Sequence, residues 1–165
     1  MRLCGQQAVW NYEEENGLLT IQGVGAMEDY TEPEQVPWNS LMQEIKVVVI
    51  RDGITTVGDY AFAGCSNLQE VTLPGSVEIV GVFSFKGCTG LREIVIPEGV
   101  RVLASKAFQF CSALKKVYLP STLIDVDMRA FGKCESLEEV FYQGSEEQWE
   151  QIMISRSASD NQYLV

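Results

Sequence analysis

Apolar positions recur along this chain at a fixed interval of 23 residues. Ile54, Val77, Val100 and Leu123 open four successive units. Val57, Val80, Leu103 and Val126 follow, then Phe62, Phe85, Phe108 and Phe131. Cys65, Cys88, Cys111 and Cys134 come next, then Leu68, Leu91, Leu114 and Leu137. Each unit closes on Val71, Ile94, Val117 or Val140, and on Leu73, Ile96, Leu119 or Tyr142. Pro74, Pro97 and Pro120 punctuate the first three units, and Gln143 takes that place in the fourth. A fixed period with every apolar column kept predicts a stacked solenoid, in which each unit buries its apolar side against its neighbours. Subtracting one period from Leu68, Val71 and Leu73 gives Ile45, Val48 and Ile50. The strand half of a unit is therefore present before Ile54, and five strands are predicted to stack.

Within a unit, Leu-x-x-Val-x-Leu predicts a short strand with its apolar residues turned inward. The half from Ile54 to Cys65 predicts a short strand or bend followed by one helical turn. Gly58 and Gly81 suggest a tight bend, but Ala104 and Asp127 share their column, so positive φ is not required there. Ala61, Ser84, Ala107 and Ala130 leave room for each following ring to lie across a neighbouring rung. Ahead of the repeats, Ala8–Tyr12 and Leu18–Gln22 predict a hairpin closed by Asn16-Gly17, which supplies positive φ. Met27–Val36 is expected to be a surface loop, and Pro37–Met42 one helical turn with proline in its first turn. After the repeats, Ser145 with Gln148 forms a capping pattern. Trp149, Ile152 and Met153 then share one helical face that is expected to cover the last rung. Ser155–Gln162 is expected to fray. The predicted class is α/β, rich in β. Its parts are an N-terminal hairpin cap over 1–44, a solenoid of 23-residue units over 45–143 and a C-terminal helical cap over 144–165.

Charge and composition remove several function classes. The chain carries −11, divided as −7 over 1–44, −1 over 45–143 and −3 over 144–165. No segment offers the basic footprint that nucleic-acid binding needs. No apolar run approaches the ~18 residues of a membrane span, and the first residues show no leader peptide. There is no histidine, which removes Ser-His-Asp and Cys-His catalysis. Four of the five cysteines share one column, spaced along a stack at about 4.8 Å per rung. A file of that kind cannot wrap one tetrahedral zinc. The four are expected to be reduced, buried thiols, with Cys4 alone outside the core. Glu13-Glu14-Glu15 reads as a solvated turn, and Gly23-Val24-Gly25 lacks the helix and third glycine of a phosphate loop. No enzyme, metal or cofactor is expected.

The stretch Val57-Gly58-Asp59-Tyr60-Ala61-Phe62-Ala63-Gly64-Cys65-Ser66-Asn67-Leu68-Gln69-Glu70-Val71-Thr72-Leu73-Pro74 resembles the BspA-like class of leucine-rich repeats. Near-complete copies cover about 45–143. Cys4-Gly5, Val9-Trp10 and Gly23–Met27 are similar to the opening of such arrays, and Gly144–Trp149 to their ending. The resemblance implies a leucine-rich repeat solenoid, a role in adhesion or protein binding, and a place at the bacterial cell surface or in the secreted fraction. It carries over no catalytic residue.

Strand alternation then sets a binding expectation. One outward column holds Val49, Thr72, Val95, Tyr118 and Phe141, and Arg92, Lys115 and Lys116 supply positive charge beside it. Repeat proteins bind through extended concave surfaces. An aromatic strip rimmed by charge has the composition of an interface. The expected function is a non-enzymatic module binding a protein or glycan through this face. The alternative is a structural spacer or self-assembling unit of a larger surface protein.

Overall fold

The computed structural model describes residues 2–155 and 161–164. The chain opens with β1 (Arg2–Leu3), β2 (Ala8–Glu13), β3 (Leu18–Gly23) and β4 (Gly25–Ala26), then two 3-10 turns, Pro33–Gln35 and Asn39–Leu41. Strands then alternate between two sets: β5 (Val47–Ile50), β6 (Ile54–Val57), β7 (Glu70–Thr72), β8 (Ile79–Val80), β9 (Glu93–Val95), β10 (Val102–Leu103), β11 (Lys116–Leu119), β12 (Asp125–Val126) and β13 (Glu139–Tyr142). Helix α1 (Glu146–Gln151) and β14 (Met153–Ile154) follow.

Paired residues in the repeats stand one period apart. Val117 is opposite Ile94 on one side and Val140 on the other, in parallel ladders. Val102 is likewise opposite Ile79 and Asp125. The hairpin strands and the odd-numbered repeat strands build sheets ordered β1-β2-β3-β5-β7 and β9-β11-β13, and the even-numbered strands from β4 onward build one ordered β14-β12-β10-β8-β6-β4. The predicted hairpin is present, with Gly17 at φ 61. It also extends the sheet, because β3 runs parallel to β5 and sets Leu19 against Val48.

The expected helical turn in each unit does not form. Over Tyr60–Cys65 alternate amides take different partners. Tyr60, Phe62 and Gly64 donate to Val82, Ser84 and Lys86 of the next unit, while Ala61, Ala63 and Cys65 donate three residues back. Positive φ recurs at Tyr60, Phe83, Lys106 and Arg129, and again at Gly64, Gly87, Phe110 and Lys133. A helix needs one repeated right-handed conformation with every amide bonded along its own chain. This segment sends half of its amides across rungs instead. The Gly58 column carries no positive φ, as its mixed occupants suggest, although a side chain at Gly58 would meet the Glu28 carbonyl oxygen.

One core runs from Cys4 to Leu164. Its axis is a file of rings: Phe62, Phe85, Phe108 and Phe131 stack at 5.1, 5.2 and 5.3 Å. Trp38 heads the file at 5.6 Å from Phe62, with its indole N–H donating to the Ala61 carbonyl at 2.8 Å. Pro37 precedes this 3-10 turn rather than entering it, because Trp38 must turn inward before the turn begins. Met27–Val36 is not a free loop: Met27, Tyr30 and Val36 are buried, and the amides of Met27 and Tyr30 donate to Thr56 and Asp59. Cys4 also departs from expectation. It is fully buried, held between Ala8 and Glu28 by backbone hydrogen bonds.

At the other end the capping box of Ser145 and Gln148 forms, but α1 itself buries no residue. The chain becomes extended at Ile152, so strand alternation replaces the expected helical face: Ile152 and Ile154 are buried and Met153 is exposed. Of the expected frayed tail, residues 156–160 lie outside the described residues, and Asn161 is buried.

Candidate functional site

The outward column of the strand sheets is in register. Thr20 lies opposite Val49 and Val49 opposite Thr72, while Tyr118 lies opposite both Val95 and Phe141. On the inward side of β11, Val117 and Leu119 are fully buried, so Tyr118 is left for the outer face. The rings of Tyr118 and Phe141 stack at 4.8 Å with 15° between their planes. Phe141 is 40% exposed and Val95 52%, and Tyr118 is half-buried beside them. An apolar platform therefore spans three strands. Thr72 is exposed and Val49 half-buried at the far end. Thr20 continues the column by register but is buried, so it adds nothing to the exposed face.

The charges beside the platform are mixed. Lys116 bonds the Glu139 carboxylate at 3.1 Å on the neighbouring strand and faces Glu93 on the other side. The hydrogen bond to Glu139 and its charge raise the Lys116 ammonium above its ordinary range. Both partners are exposed, so the pair fixes direction more than it stabilises. Arg92 and Lys115 are exposed just ahead of β9 and β11, and the Arg92 carbonyl receives the amides of Lys115 and Lys116. The three bases thus flank the platform separately.

The remaining chemistry is inward. Cys88, Cys111 and Cys134 donate their thiols to the carbonyls of Phe62, Phe85 and Phe108, each in the preceding unit, at 3.2–3.3 Å. Burial pushes Cys65 up to about 12, and burial with the Glu28 charge does the same for Cys4. Burial raises Cys88 and Cys111, and the hydrogen-bonding contact of the Cys134 thiol towards Cys111, followed by burial, raises Cys134. Protonated, enclosed thiols are poor nucleophiles. Among the described residues no three His, Cys, Asp or Glu side chains gather as a metal site, and no helix is long and apolar enough to cross a membrane. A cleft of about 770 Å³ lies between Gln6–Gln7 and Val24–Glu28, away from the platform, with Glu28 its one ionisable lining residue.

The BspA type leucine-rich repeat region matches residues 40–159 in six copies. A leucine rich cell surface protein from Faecalibacterium prausnitzii shares 22% identity over 94% of this chain and 43% of its own, with a TM-score of 0.73. A leucine-rich repeat protein from Eubacterium ventriosum shares 23% over 88% of this chain and 44% of its own, at 0.67. A T. pallidum leucine-rich repeat protein shares 17% over 82% and 80%, at 0.51. The chain spans less than half the length of the first two. No curated protein matches it. At these identities the structures speak for the fold, and the six-copy match over most of the sequence places the chain in the BspA type leucine-rich repeat family.

Proposed function

We propose that this chain is a protein-interaction module that binds a protein or glycan through its outward strand face. The carrying observation is the Tyr118–Phe141 stack, an exposed aromatic pair on strands whose inward sites are already filled. Val95 continues the platform, Thr72 and Val49 extend it, and Arg92, Lys115 and the Lys116–Glu139 pair form its polar rim. Aromatic anchors inside a polar rim are what recognition surfaces use. No catalytic family is indicated by the match. We read the chain as 23-residue units over 45–143, closed by hairpin and C-terminal segments whose apolar residues join the same core. The family and the cell-surface relative favour a place outside the cell.

Tyr118→Ala with Phe141→Ala tests this. The fold should be nearly unchanged in a thermal melt, while capture of the native partner weakens by at least about 2 kcal/mol. Unchanged capture returns both rings to strand formers and makes the spacer the better reading.

A further inference from the structure

The turn segments present a second face, charged unevenly along its length. Ahead of the first turn lies the acidic stretch Glu28–Val36, tied to it by the Tyr30 amide to the Asp59 carbonyl and the Asp59 amide to the Asp29 carboxylate. Glu28, Glu32 and Glu34 are exposed there. One turn on, the Tyr60 ring lies 4.7 Å from Phe83, and the ammonium groups of Lys86 and Lys106 both lie 4.9 Å from the Phe83 ring centre. Neither lysine is ion-paired among the described residues. The last turn adds Arg129 and Lys133, both exposed. Acids stand at one end of this ridge and bases at the other.

The column Tyr60, Phe83, Lys106, Arg129 sits at φ 59, 56, 59 and 55, a conformation glycine adopts without strain. The fold asks only for the backbone there. Large aromatic and basic side chains at four strained positions are what a contact surface asks for.

We propose that this ridge docks on the ridge of a second copy of the chain, the two running antiparallel about a two-fold axis at Phe83. Rungs repeat at about 4.8 Å, so positions equally far from the axis exchange. Tyr60 of one copy then meets Lys106 of the other, a cation–π pairing, and Phe83 meets Phe83. The acidic stretch, two turns before Phe83, meets Lys133, two turns after it. A two-fold interface must be self-complementary, and this ridge is so under that operation, whereas parallel docking sets acid on acid. Both chains carry −11, but a screening length of about 8 Å at physiological salt confines that repulsion while direct contacts persist. The docking goes beyond strand-face binding and uses none of its residues.

Sedimentation velocity of the full chain from about 1 μM to about 1 mM, the weak end of specific association, tests it. The mass should rise from 18.4 kDa towards twice that value. Lys133→Glu, and separately Glu32→Lys with Glu34→Lys, should each stay monomeric, with melts showing that both fold. An equal mixture of the two reversed variants should dimerise again, because each supplies the charge the other lacks. A wild type that stays at one chain mass throughout, or a mixture that stays monomeric, overturns the proposal. An acidic glycan or peptide bound at the ridge by a strictly monomeric chain does the same.

Discussion

The Phe131 amide is received by the Asn161 side chain rather than by a repeat carbonyl. In the earlier units Phe62, Phe85 and Phe108 donate to Ser84, Ala107 and Ala130. At the last unit the Asn161 side-chain oxygen accepts from Phe131 at 3.0 Å, while its amide nitrogen donates to the carbonyls of Asp127 and Ser155. Asn161→Ala leaves a buried amide unpaired and should cost about 1–3 kcal/mol in urea denaturation. A loss within error would mean that another group satisfies Phe131. Nothing in a polar tail marks one asparagine as structural, because its role comes from standing where a neighbouring-turn carbonyl stands in the earlier units. A second residue-scale prediction concerns backbone strain. Lys133 is exposed at φ 61, where earlier units have Gly64 and Gly87. Lys133→Gly removes about 1–2 kcal/mol of left-handed strain and adds about 0.4–1 kcal/mol of unfolded-state freedom. A net gain of between zero and about 1.6 kcal/mol should appear as a higher urea midpoint. A lower one would show that the side chain, not the backbone, sets the energy there.

At the scale of elements, the strands were legible and the turns were not. Apolar residues at steps of three and two place β5, β7, β9, β11 and β13 correctly, because the inward side chains of a strand are fixed by alternation. Ala-Phe-x-x-Cys has the spacing of a helical turn, yet it bonds half its amides across rungs, which no single-unit pattern reveals. Trp38 was similarly hidden, standing 24 rather than 23 residues before Phe62 while occupying the head of the ring file. The platform column was readable from alternation, but the Lys116–Glu139 pairing that divides its charges depends on register. The ring file itself makes a prediction. Phe85 and Phe131 are both fully buried, but Phe85 stacks on two rings and Phe131 on one. Phe85→Ala should cost about 3–5 kcal/mol. Phe131→Ala should cost less by about one stacking pair, roughly 0.5–1.5 kcal/mol. Chemical denaturation of the two variants gives the comparison, and small equal losses would remove the rings from the core.

For the molecule as a whole, one core containing five buried thiols makes stability fall at alkaline pH. All five cysteines are buried and reduced. Unfolded, their thiols ionise at about pH 8.5. Folded, Cys4 and Cys65 are held up to about 12, and Cys88, Cys111 and Cys134 are also raised. Between those limits the unfolded chain has released protons that the folded chain retains, so stability falls as pH rises and is fully present below about 8.5. Each thiol contributes about 1.4 kcal/mol per pH unit in that window. Cys4 and Cys65, both held to about 12, together contribute about 2.8 kcal/mol per unit in that window, and the other three thiols act in the same direction. Urea midpoints measured at pH 7.5, 9 and 10 should therefore drop steeply above 8.5. Replacing Cys4 and Cys65 with alanine should flatten that drop, by up to about 2.8 kcal/mol per unit and whatever the variant's starting stability, because the slope counts titrating thiols. A flat wild-type profile to pH 10 would mean that thiolates form inside the folded protein, and the core would then have to admit water along the whole cysteine file.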